Sequence, residues 1–355
     1  MASWFCRAPI VAITGTNGKT TTTALTGRIF QDAKQPCVVG GNIGTAFSQV
    51  VDQVGSDGTV ILEISSFQLD HIKTFRPKVA VWLNVTPDHL DRYEHSYEKY
   101  IAAKSRVFEN QRDGDALVYN EDDETERNYV ERLAHPSVRK LSFSIAARVS
   151  EGAFVENGHV KVRFDGVESE VIMTDQISIR GKHNLYNAMA ASLAARVMGI
   201  STASIRATLK NFKGVEHRLE FVGEVNGVTY ANDSKATNVD SVWYALQSFD
   251  SPIVLMLGGR DKGNDYTRLI DPVKKHVKAI VAIGESAEKV VKAFASVVPV
   301  TIATTMDEAV RTAATLATPG DVVLLSPACA SFDWFENYEH RGRVFKQFVA
   351  QLKAN

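Results

Sequence analysis

The sequence predicts an α/β protein: a parallel-sheet domain entered through a P-loop of the mononucleotide-binding type, followed by a second, Rossmann-like α/β domain. Three observations predict it. The apolar run Val11-Ala12-Ile13 stops in the glycine-punctuated loop Gly15-Thr16-Asn17-Gly18-Lys19-Thr20 and passes straight into a helical pattern. Further short apolar runs alternate with helical stretches along the chain, the pattern of parallel strands joined by crossover helices. Polar clusters fall where these runs end, and open α/β sheets gather their ligands at the carboxyl ends of strands.

At 355 residues the chain is long enough for two cores, and 45% hydrophobic with 23% charged residues is ordinary for a folded globular protein. Forty basic residues against 41 acidic give a formal charge of -1, so neither nucleic acid nor a membrane surface is expected as the main partner. Cys6, Cys37 and Cys329 are odd in number and far apart. They argue against a disulfide framework or a zinc site and for a reducing cytosol, with each thiol a small buried side chain. No apolar stretch approaches the roughly twenty residues of a membrane span, and the first nine residues lack a signal peptide's apolar core, so a cytoplasmic protein is expected. Ser3-Trp4-Phe5-Cys6 is apolar for a chain start, and a segment upstream is expected.

In order, the helix after the loop is expected over 21–33 and a short buried strand at 37–39, ending in Gly40-Gly41-Asn42-Ile43-Gly44. Strands follow over 59–64 and 79–85, the second closing on Thr86-Pro87-Asp88-His89. A helix over 97–109 carries Lys104, and 117–119 is another strand. Between 141 and 180 short alternating runs at 153–155 and 160–162, split by Asn157-Gly158, predict a hairpin packed beside the main sheet. Helices are expected over 184–198 and 202–211, the latter capped by Ser201. A boundary near Lys213-Gly214 divides domain 1–214 from domain 215–355. The second domain has strands at 228–230, 253–257, 280–283 and 322–325, with helices at 239–247 and 287–295.

The loop predicts phosphate binding for physical reasons. Gly15 and Gly18 let backbone N–H groups turn inward around an anion, and the helix that follows points its positive end at it. Lys19 would reach the β/γ-phosphates and Thr20 would ligate Mg²⁺. The motif is a shortened variant, because Ile13 stands where the full pattern has its first glycine. Glu63 closes the apolar run Val60-Ile61-Leu62 and is expected beside the loop as an acidic metal partner. His89 and Lys104, by residue type alone, read as a solvated loop histidine and an exposed helix lysine. His217-Arg218-Leu219-Glu220, the run from Asn232 to Asn238, Gly258 to Gly263, and Ser326 to Asp333 are polar clusters that would let a second domain close over a nucleotide.

Together, the shortened loop, Gly40 to Gly44, Glu63-Ile64-Ser65-Ser66-Phe67-Gln68-Leu69, Asp233-Ser234-Lys235-Ala236-Thr237-Asn238 and Ser326 to Asp333 resemble the Mur ligases, and among them the D-glutamate-adding branch. The matches run from Ala8 to Arg341, and the resemblance leaves the family's uridine-nucleotide domain unmatched. The resemblance implies ATP as co-substrate, with Gly15, Thr16, Asn17, Gly18, Lys19, Thr20 and Thr21 around its phosphates. It implies Mg²⁺ at two sites held by Thr20, Glu63, His89 and Lys104, the lysine being carbamylated. It further implies Asn187 at adenine, Arg218 at phosphate and Asp233 at ribose. Asn42 would orient the acceptor, while Thr237, Lys262, Ser331, Phe332 and Tyr338 would form a D-glutamate pocket, the tyrosine standing where phenylalanine is expected. Lys19, Glu63, His89, Lys104 and Lys235 would be the catalytic set.

The implied chemistry is ATP-driven amide formation between the small molecules UDP-N-acetylmuramoyl-L-alanine and D-glutamate through an acyl phosphate, by a monomer. A regulatory P-loop NTPase, a non-catalytic ATP-binding fragment and a folylpolyglutamate-type ligase are the alternatives. A guanine-reading Asn-Lys-x-Asp run is absent, which weakens the first. Without the uridine domain, this chain is expected to bind Mg²⁺-ATP and to ligate poorly.

Overall fold

A computed structural model of the chain describes residues 2–353 apart from 43, 44, 89, 91, 250 and 262. It forms two compact units, Met1–Lys213 and Gly214–Asn355.

In the first unit a single turn, α1 (Ala2–Phe5), precedes β1 (Ile10–Thr14), α2 (Lys19–Asp32), β2 (Cys37–Gly41), α3 (Phe47–Val50), β3 (Thr59–Glu63), α4 (Ser66–Leu69), β4 (Val79–Trp82) and α5 (Tyr97–Ser105). Then come β5 (Ala116–Asn120), α6 (Glu124–Leu133), β6 (Arg139–Ser144), β7 (Gly152–Glu156), β8 (His159–Phe164), β9 (Val167–Met173), α7 (Lys182–Val197) and α8 (Thr202–Asn211). Among the described residues the strands make one nine-stranded sheet in the order β2-β3-β1-β4-β5-β6-β7-β8-β9. It is parallel as far as β7 and antiparallel beyond. The hairpin expected beside the sheet is therefore part of it: Ser142 to Ser144 pair with Gly152 to Phe154, so β7 to β9 extend its edge.

β1, β3 and β4 are buried along their whole length, which is why they read as unbroken apolar runs. Ala12, Leu62, Ala80, Trp82 and Leu117 pack on one face against Ile101, Val107 and Phe108. The Ala-rich helix α7 lies against α2, small side chains allowing the close approach. Helix starts follow their caps: Ser96 Oγ accepts from Lys99 N at 3.3 Å and Asp123 Oδ1 from Glu126 N at 3.2 Å.

The second unit contains β10 (Glu220–Val225), β11 (Val228–Asn232), α9 (Val239–Leu246), β12 (Ile253–Gly258), α10 (Ile270–His276), β13 (Val277–Ile283), α11 (Ala287–Phe294), β14 (Val300–Ala303), α12 (Met306–Leu316), β15 (Val322–Leu325) and α13 (Tyr338–Leu352). Its sheet runs β10-β11-β15-β12-β13-β14. β12 serves two cores at once: Ile253, Leu255 and Leu257 face one cluster with Leu246 and Phe294, while Val254 and Met256 face another with Val310 and Phe345. The thiols are free, but only Cys329 is fully buried; Cys6 and Cys37 are half-buried, a correction to the sequence reading.

Candidate active site

The phosphate loop joins β1 to α2, with Gly18 as the residue before the helix. Gly18 has φ of 82°, and a Cβ there would stand 2.2 Å from Asn187 Oδ1, so both backbone and space require glycine. Asn187 is buried on α7, and its Oδ1 also accepts from Thr22 Oγ1 at 3.2 Å, which brings the expected adenine contact onto the loop. Thr20 and Thr21 are buried in the first turn of α2. The first N–H groups of that helix have no acceptor within it.

Lys19 Nζ folds back to donate to the carbonyls of Gly15 and Thr16, both at 2.8 Å. Lys104, predicted exposed by type, is instead fully buried, and its Nζ donates to the same Gly15 carbonyl at 2.7 Å. Burial first, and then the Lys19 charge, hold its pKa well below the usual lysine range. Its amine also lies 4.7 Å over the Tyr100 ring.

Glu63 ends β3 beside the loop. It is 2% exposed; its Oε2 accepts from Thr20 Oγ1 at 2.8 Å and its Oε1 from Asn42 Nδ2 at 2.9 Å. Asn42, itself exposed, is carried there by Gly41, where φ is 112° and a Cβ would meet the Glu63 carbonyl at 2.2 Å. Thr20 and Glu63 thus present hard oxygen atoms together, the donor type Mg²⁺ takes. A lysine ammonium is not such a donor, so Lys104 fits a metal only once it is modified. His89 and Lys262 lie outside the described residues, as do Ile43 and Gly44.

Within the second unit Asp233 follows β11, 5% exposed, with Oδ2 accepting from Ser326 Oγ at 2.8 Å and Oδ1 from Leu219 N at 3.2 Å. Burial raises its pKa to about 7 against the opposing pull of Arg218. The Arg218 Nε is buried and donates to nothing among the described residues. Lys235 Nζ lies 5.6 Å over the Tyr338 ring, and Thr237 is half-buried in the same loop, its N–H donating to the Lys235 carbonyl at 2.9 Å. Ser331 is buried, whereas Phe332 is 60% exposed.

Residues 13–195 match the Mur ligase middle domain, and residues 217–329 match the Mur ligase, glutamate ligase domain. The chain is a Mur ligase. The UDP-N-acetylmuramoylalanine--D-glutamate ligases of Salinibacter ruber and Chloroherpeton thalassium are 52% and 48% identical to it, each over 99% of this chain and 78% of its own length. The solved MurF ligase of Thermotoga maritima in complex with ADP superposes with a TM-score of 0.69 at 18% identity, covering 99% of this chain and 83% of its own, a likeness of fold.

In this Mur ligase the sequence reading missed residues that act through the backbone. Arg341 is 1% exposed at the start of α13. Its Nε donates to Ser234 Oγ at 2.9 Å, its Nη2 to the Ser234 carbonyl at 2.8 Å, and its Nη1 to the Cys329 and Ala330 carbonyls at 3.1 and 3.3 Å. Ser234 Oγ in turn donates to the Tyr338 carbonyl at 2.8 Å. One guanidinium thereby ties the start of α13, which carries Tyr338, to the two loops that carry Asp233 and Ser331. Polar residues at the start of an amphipathic helix look solvated in sequence, and only the three-dimensional return of the helix onto the sheet reveals the burial.

Proposed function

We propose that this Mur ligase uses ATP to join the L-alanine carboxylate of UDP-N-acetylmuramoyl-L-alanine to the amino group of D-glutamate. One observation carries the substrate assignment: proteins named for that reaction are about half identical to this chain over nearly all of it. The geometry supports the chemistry. A carboxylate oxygen attacks the γ-phosphorus, the bond to the β-bridging oxygen breaks, and ADP leaves. The D-glutamate amine then attacks the acyl carbon, inorganic phosphate departs with the attacking oxygen, and the amine loses a proton. Charge is the obstacle in both steps, and fixed cationic groups reduce it without reorganising at the moment of reaction.

In this account Lys19 leaves the loop carbonyls for the β/γ-phosphates, and Thr20 and Glu63 hold Mg²⁺, which supplies charge neutralisation on the phosphate oxygens. Lys104 completes a second Mg²⁺ site together with His89. Its lowered pKa favours the neutral amine, which can attack carbon dioxide, form an N–C bond and release a proton to give a carbamate. Asn187 reads adenine, Arg218 contacts phosphate through its guanidinium, and Asp233 accepts from ribose hydroxyls. Asn42 orients the acceptor. Thr237, Lys262, Ser331, Phe332 and Tyr338 hold D-glutamate, and Lys235 offsets its charge. The protein acts as a monomer in the cytoplasm; among the described residues no helix is long and apolar enough to cross a membrane.

The test is phosphate release measured with each acceptor omitted in turn. Release that needs both the nucleotide sugar and D-glutamate supports the proposal; release with a folate acceptor, or with no acceptor, overturns it.

A further inference from the structure

β1 and β4 run parallel in register up to Thr14 and Trp82. Past that point the two chains would separate, since one enters the phosphate loop and the other the segment toward Asp88. They stay joined. Leu83 N donates to the Thr14 carbonyl at 3.0 Å and Thr16 N to the Asn84 carbonyl at 3.0 Å, one more rung of the ladder. The next rung is built from a side chain. Asn84 Oδ1 accepts from Asn17 N at 2.8 Å while its Nδ2 donates to the Asn17 carbonyl at 3.0 Å. A carboxamide here imitates the N–H and C=O of a neighbouring strand, and the two bonds fix which way it faces.

The reverse contact exists as well. Thr16 Oγ1 accepts from Thr86 N at 3.0 Å and donates to the Thr86 carbonyl at 3.1 Å, with Tyr100 Oη a further 3.2 Å away on α5. Each segment thus lends one side chain to the other's backbone. Thr16 N and Asn17 N are both taken up by Asn84, so those two residues form the wall of the loop, and the anion is left to the N–H groups from Gly18 onward and to Lys19.

From this geometry we infer that Asn84 is a positioning residue for nucleotide phosphate binding: its carboxamide, with the Thr16 hydroxyl, latches the shortened phosphate loop to residues 84–86 and holds it in its anion-binding shape. The inference rests on the reading that the first unit binds ATP. It explains how a loop lacking the first Walker glycine stays open, since a preformed cradle avoids the cost of ordering the loop on binding. Both of these bonds of the Asn84 carboxamide go to the Asn17 backbone, so its part in binding runs through the loop.

The experiment measures Mg²⁺-ADP affinity by calorimetry and adenosine affinity by saturation-transfer NMR, for the full chain and for Asn84→Ala, Asn84→Asp, Thr16→Val and Thr16→Ser. Asn84→Ala and Thr16→Val are expected to weaken ADP about ten- to a hundredfold, the loss of two neutral hydrogen bonds, while adenosine binding is unchanged. Asn84→Asp keeps an acceptor for Asn17 N but sets an oxygen against the Asn17 carbonyl, and should weaken ADP at least as much. Thr16→Ser retains the hydroxyl and should bind like the parent. The double variant Asn84→Ala/Thr16→Val should lose less than the product of the single effects, because both side chains hold one seam. Folded variants with parental ADP affinity, or adenosine affinity falling in step with ADP, would overturn the inference. A parent chain that binds no ADP would instead remove the nucleotide reading on which it rests.

Discussion

Lys19 and Lys104 end on the same atom, the carbonyl oxygen of Gly15, at 2.8 and 2.7 Å. Burial disfavours the charged form of Lys104 first, and the neighbouring Lys19 ammonium adds to it, which together lower the Lys104 pKa. Lys104 is therefore expected to take up labelled bicarbonate as a carbamate carbon visible by NMR. Lys104→Ala should lose ADP-forming activity and regain part of it with added short-chain carboxylates. An unmodified Lys104 in fully active protein would remove the carbamate from the account.

Glu63 is expected to govern the metal rather than the fold. In Glu63→Gln the side chain still fits between Thr20 and Asn42, but the charge that balances Mg²⁺ is gone. The strengthening of ATP binding by Mg²⁺ should fall by about tenfold or more, roughly 1.4 kcal/mol, with the urea midpoint near that of the parent. Titration of ATP with and without Mg²⁺ measures it, and an unchanged metal dependence would place the Mg²⁺ elsewhere.

Asp233 carries a pH signature. Its folded pKa is raised from 3.8 to about 7, so between those values the native state binds more protons than the unfolded chain and stability falls as pH rises. The largest loss across the window is about 4 kcal/mol, and it is fully present above pH 7. Asp233→Asn should flatten that slope in urea denaturation at pH 4.5 and 7.5. If ribose hydroxyls donate to Asp233, nucleotide binding near neutral pH releases a proton from the parent and none from the variant. Calorimetry in buffers of different ionisation heat reads this directly.

Arg341 is the brace of the second unit. Burial draws its pKa down to about 10, so it remains charged at neutral pH. Arg341→Met would leave the buried carbonyls of Ser234, Cys329 and Ala330 without that donor and cost about 3–5 kcal/mol. Arg341→Lys cannot reproduce the fork of contacts and should recover only a fraction. A parental urea midpoint in both variants would contradict the bracing role.

The strand-and-loop frame was legible because β1, β3, β4 and β12 are buried on both faces and leave unbroken apolar runs. The edge strands β9 and β14 were not, since their exposed sides dilute the pattern. Glu63 could be read from its place at a strand end. Lys104 could be placed only by resemblance, as nothing in the spacing of α5 distinguishes a buried lysine from an exposed one. Asn84 was hidden differently. The apolar run suggested a strand to 85, whereas β4 ends at Trp82 and the chain beyond it turns the Asn84 carboxamide to the phosphate loop. Tertiary pairing of this kind has no local period to detect.

The most direct measurement follows the oxygen of the acceptor. UDP-N-acetylmuramoyl-L-alanine labelled with heavy oxygen in its carboxylate is incubated with the chain, Mg²⁺, ATP and either D- or L-glutamate, and the released phosphate is analysed by mass. An acyl-phosphate ligase for D-glutamate transfers one labelled oxygen to phosphate for each amide formed, with D-glutamate only, whatever the turnover. Unlabelled phosphate, or equal amide formation with L-glutamate, would contradict the account.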